Sequence, residues 1–79
     1  MDKKDIFLTK VDSMRFNKHT LVKYINRINE CYLVEDLNDR KREYIYYSEL
    51  YPIDWSHQNF RGNYKFDEKL QAIAEELIK

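Results

Sequence analysis

Apolar positions along the chain follow two spacings. Near the C-terminus Leu70, Ile73, Ala74, Leu77 and Ile78 recur at i, i+3, i+4, i+7 and i+8, one face of an α-helix over 67–79. Asp67 is placed to cap it, and Glu68 and Lys79 suit the two ends of the helix dipole. The same spacing predicts a helix over 18–30, where Leu21, Tyr24, Ile25, Ile28 and then Tyr32 form a stripe behind Asn17 as N-cap. Upstream, Phe7, Val11 and Met14, with Ile6 on the same side, favour a helix over 3–14. The run Ile6-Phe7-Leu8 with Thr9 and Val11 also fits a short strand. Arg15-Phe16-Asn17 reads as a tight turn, with Phe16 a core candidate.

The second spacing is the alternation of strands. Cys31–Leu37 and Glu43–Leu50 are rich in β-branched and aromatic residues, and Asn38-Asp39 between them is turn chemistry, so a β-hairpin is expected. Tyr44 and Tyr46 share one face of its second arm, and Ile45 and Tyr47 the other. Pro52 ends that arm because it has no amide to donate. Residues 51–66 read as an irregular connection pinned by Trp55, Phe60, Tyr64 and Phe66, with Gly62 free to adopt a positive φ. The predicted order is helix, turn, helix, hairpin, loop, helix.

Composition narrows the class. The 79 residues are 43% hydrophobic with one glycine and one proline, which excludes a disordered linker and fits one domain. A lone cysteine, Cys31, excludes an internal disulfide or a multi-cysteine metal site and points to a reducing cytoplasm. The apolar runs are too short for a membrane span, and the charged start argues against a signal peptide. His19 and His57 lie far apart, and neither a phosphate loop, a paired-carboxylate frame nor a Ser/His/Asp set is present. No enzyme, cofactor or metal is therefore expected.

Charge changes the picture most. Fourteen basic and fourteen acidic side chains cancel, yet Lys10, Arg15, Lys18, Lys23 and Arg27 face only Asp12 over residues 10–29, and Arg40, Lys41 and Arg42 cluster at the hairpin tip. A helix-turn-helix with a basic outer face followed by a basic hairpin is the order of an α+β winged helix-turn-helix, whose second helix enters the major groove. The expected organisation is one such domain over 1–79: helix-turn-helix 3–30, wing hairpin 31–50, loop 51–66 and C-terminal helix 67–79.

Residues 7–48 resemble MarR-type winged-helix regulators and the related staphylococcal accessory regulators. The residues that match in order are Asn17, Thr20-Leu21, Ile28, Leu33-Val34-Glu35 and Asp39-Arg40. The resemblance implies a cytoplasmic, usually dimeric transcriptional regulator bound to double-stranded DNA. It implies base reading by Lys18, His19, Val22, Lys23 and Asn26, backbone contacts by Arg15, Asn17, Thr20 and Arg27, and a wing of Arg40, Lys41 and Arg42. The C-terminal helix is expected either to close the core or to pair with a twin in a homodimer. Two alternatives stand beside this reading. One is a protein-interaction module that occludes a nucleic-acid-binding machine, using acidic residues 67–76 and the tyrosine hairpin. The other is an excisionase-like factor that bends DNA.

Overall fold

Residues 18–30, expected to form the recognition helix, are mostly strand. In the computed structural model, which describes residues 3–56 and 64–79, Leu21–Ile28 forms a strand in a five-stranded antiparallel sheet. The elements are β1 (Ile6–Thr9), β2 (Leu21–Ile28), β3 (Cys31–Asp36), β4 (Arg42–Tyr46), a single 3-10 turn (Tyr47–Glu49), β5 (Leu50–Pro52) and α1 (Glu68–Ile78). The fold is thus mostly β with one C-terminal helix, not a winged helix-turn-helix. The first helix is also absent: residues 3–14 contribute β1 and the start of a long connection.

The helical spacing in 21–28 has a physical origin. Val22 and Tyr24 pair with Asp36 and Val34, but the register then shifts so that Asn26 faces Leu33. Ile25 is the extra residue of a β-bulge, and a bulge adds one position to a period-two pattern. Leu21, Tyr24, Ile25 and Ile28 therefore imitate a helical stripe. The β-branched and aromatic side chains of this stretch favour a strand, and Asn29-Glu30, with Asn29 at φ 55°, turns the chain directly into β3.

Strands β1 to β4 form a meander, and β5 returns through the 3-10 turn to the free side of β1, giving the order β4-β3-β2-β1-β5. The sheet curls so that inward side chains of all five strands meet. Phe7, Val22, Tyr32, Val34, Ile45 and Leu50 form this inner core, closed by Phe16 from the long connection and by Tyr24, Tyr47 and Tyr64. Tyr32 meets both Phe7 and Tyr24 edge to face, at ring separations of 5.7 and 5.0 Å. The Tyr64 hydroxyl donates to the Tyr47 carbonyl at 2.9 Å. Burial raises the phenol pKa of both Tyr32 and Tyr64.

A second core lies on the other side of β1 and β5. Ile6, Leu8, Tyr51 and Ile53 are covered by Leu70, Ile73, Ala74 and Ile78 of α1. All four residues of β1 are consequently buried, so it reads as a continuous apolar run without alternation. Polar groups fix the helix in place. Asp67 accepts from the amides of Lys69 and Leu70, the Tyr51 hydroxyl donates to Gln71 Oε1 at 2.9 Å, and Gln71 Nε2 donates to the Ile53 carbonyl. With its stripe engaged this way, α1 leaves only Leu77 as a large exposed apolar residue.

Candidate interaction surface

Three strands present an outer face that α1 does not cover, and their register arranges it in rows. Ile28, Cys31 and Tyr46 form one row, Asn26, Leu33 and Tyr44 the next, and Lys23, Glu35 and Arg42 the third. The face thus grades from apolar and aromatic at the Asn29-Glu30 end to charged at the opposite end. Tyr44 and Tyr46 are 52% and 56% exposed, and Ile28 is 47% exposed. Together with Asn29, Glu30 and Cys31 these three line a shallow concavity of about 720 Å³. Isolated exposed apolar side chains are ordinary, whereas a contiguous aromatic patch rimmed by polar groups marks a contact surface.

The hairpin tip is built by carboxylates. Asp36 Oδ1 accepts from the amides of Asn38 and Asp39, and Asp39 Oδ1 accepts from the Lys41 amide. Arg40 stands at φ 61° between them. Carboxylates also face the cations: Lys41 Nζ lies 3.6 Å from Asp39, and Arg42 Nε donates to Glu35 at 2.9 Å. Over residues 23–43 the bases Lys23, Arg27, Arg40, Lys41 and Arg42 are matched in number by Glu30, Asp36, Glu35, Asp39 and Glu43.

The residues expected to read DNA do not form one surface. Lys18 and His19 lie in the connection between β1 and β2, where the Lys18 amide donates to Asp12 and His19 has φ 65°. Val22 is fully buried in the inner core. Lys23 and Asn26 lie on the outer face of β2, and Asn26 Oδ1 accepts from the Arg27 amide.

Of the expected backbone contacts, Arg27 Nε donates to the Asn29 carbonyl at 2.8 Å. The Asn17 carbonyl accepts from Thr9 and Thr20 hydroxyls, and the Thr20 amide donates to Thr9 Oγ1. The Arg15 amide donates to Glu43 Oε1, which also accepts from Ser13, so β4 clamps the long connection. The register does unite Lys23 and Arg42 in one row, with Glu35 between them.

Sequence reasoning missed the roles of Ile28, Leu33 and Cys31. Ile28 was expected on a helical stripe; it and Cys31 both sit on the outer face, Cys31 half-buried. The signal available was the alternation that separates Tyr44 and Tyr46 from Ile45 and Tyr47. His57, Phe60 and Gly62 lie outside the described residues. Among the described residues, no helix is long and apolar enough to cross a membrane, and no group of three His, Cys, Asp or Glu side chains is placed to hold a metal. Comparison with family models, curated proteins and solved structures finds no match.

Proposed function

We propose that this chain is a protein-interaction module of a reducing cytoplasm, not an enzyme, and that its partner docks on the outer face of β2, β3 and β4. The observation that carries this reading is the exposure of Ile28 and Tyr46, in one row across half-buried Cys31, with exposed Tyr44 beside them. Tyrosines supply large contact area with a polar tip at low entropic cost, and aromatic anchors dominate the energetics of protein interfaces. The neutral balance of residues 23–43 favours a protein over a polyanion, because affinity for duplex or single-stranded nucleic acid is built mainly on uncompensated cations. The cytoplasmic assignment rests on the single free cysteine.

The test sets immobilised wild type against two variants, Tyr44→Ser/Tyr46→Ser and Arg40→Ala/Lys41→Ala, in source-cell extract and with duplex DNA at low salt. A protein captured by wild type, retained by the charge variant and lost by the tyrosine variant is expected. Salt-sensitive DNA binding that disappears in the charge variant would overturn the reading.

A further inference from the structure

The two edges of the sheet are unequal. In an antiparallel ladder alternate residues turn their amide and carbonyl toward the neighbouring strand, and those between turn them away. Beside β5, the Lys10 amide bonds the Glu49 carbonyl and the Ile53 amide bonds the Ile6 carbonyl. Leu50 and Pro52 are therefore the residues that face the free side, and Pro52 has no N–H to offer. This edge has three residues and is blunted by proline, a common defence of an exposed strand.

Beside β4, the Asp36 amide bonds the Lys41 carbonyl and the Tyr47 amide bonds the Glu30 carbonyl. The same alternation turns Glu43 and Ile45 toward β3 and leaves Arg42, Tyr44 and Tyr46 facing outward. Among the described residues none bonds their main chain from that side. This edge is five residues long and contains no proline.

We propose that a second copy of this chain pairs with β4 through its own β4, antiparallel across a two-fold axis at Tyr44. The chemistry of the strand favours that occupant. With Tyr44 opposite Tyr44, Arg42 of each copy falls opposite Tyr46 of the other, and Glu43 opposite Ile45. The outer face then gains an aromatic pair flanked by two cation–π pairs, and no two like charges stand opposite one another. All three outward residues find partners, giving about six main-chain hydrogen bonds between copies. Shifting the axis to Glu43 would oppose two carboxylates and send Tyr46 against the turn at Arg40. The two tyrosine faces would become one continuous surface across a ten-stranded sheet. The inference stands on the ladder and on β4 self-complementarity, so it goes beyond the docking of a different protein.

The experiment is light scattering during gel filtration across a wide concentration range, on wild type, Tyr44→Ser and Tyr44→Pro. Proline at 44 removes an outward amide and leaves the ladder to β3 intact. Wild type is expected at twice 9.8 kDa, the serine variant at about fivefold weaker association, and the proline variant as monomer throughout. Should the proline variant not fold, hydrogen exchange of wild type decides: the Arg42, Tyr44 and Tyr46 amides become protected as concentration rises. In a Cys31→Ser background, Tyr44→Cys is expected to cross-link to its own copy, because Cα atoms of a hydrogen-bonded pair lie about 5.5 Å apart.

Monomeric wild type at every concentration overturns the proposal, as does a dimer unaffected by proline or amides whose exchange ignores concentration. A dimer without the cross-link overturns the register. A monomer that still captures a protein through Tyr44 and Tyr46 sinks the dimer and leaves the docking face standing.

Discussion

On the β1–β5 side the outer face of the sheet carries Ile6, Leu8, Tyr51 and Ile53, all buried under α1. On the β2–β4 side it carries Ile28, Cys31, Leu33, Tyr44 and Tyr46, with no element among the described residues laid over them. The two faces belong to one sheet and share strand neighbours, yet one provides a core and the other a surface. The difference lies in where the helix lands. Asp67 and the Tyr51–Gln71 contact hold α1 over β5, so its apolar stripe is used on that side, with Leu21 at the start of β2 and Leu37 after β3 at the margin of the same cluster.

The comparison can be broken in order of effect. Leu8→Ala on the covered face removes a fully buried side chain and should cost about 2–5 kcal/mol in urea unfolding; a small loss would mean that α1 does not seal this side. Alkaline titration comes next. Tyr32, Tyr51 and Tyr64 have phenol pKa values raised above 10.0 by burial. Above pH 10 the unfolded chain gives up these protons while the folded chain keeps them, so the unfolded state gains. Stability should be full below pH 10 and fall steadily as pH rises beyond it, with the fall reduced in Tyr51→Phe. Chemical denaturation at a series of pH values reads this directly.

Tyr51→Phe itself, at neutral pH, should cost about 1–2 kcal/mol by leaving the Gln71 and Asp67 groups without their partner. Ile28→Ala on the bare face should change the unfolding free energy by no more than about 0.5 kcal/mol. A loss there comparable to that of Leu8→Ala would mean that the bare face is covered in solution.

The parts of the fold legible in the sequence are those where one signal dominates. Asn38-Asp39 between two β-rich runs marks the hairpin, and Asp67 ahead of an unbroken i, i+3, i+4 pattern marks α1. The illegible parts are those where tertiary placement rewrites the pattern. β1 loses its alternation because both faces are buried, and β2 acquires a helical spacing through the bulge at Ile25. β5 has only three residues, and its partner β1 lies some forty positions earlier, a pairing that no local window contains. The surface was half legible for the same reason: the parity of Tyr44 and Tyr46 could be read, but the row that Ile28 completes depended on a strand taken for a helix.

The tight bends at His19, Asn29 and Arg40 have a consequence for how far this protein could be improved. Each holds a side-chain-bearing residue in the left-handed region, at φ 65°, 55° and 61°. Asparagine and histidine are found in that region far more often than other side chains, whereas arginine occupies it at a steric cost. The chain therefore keeps unused thermal headroom: Arg40→Gly should raise the melting temperature by a few degrees, an adjustment open to a designer who wants a sturdier scaffold while leaving both faces of the sheet untouched.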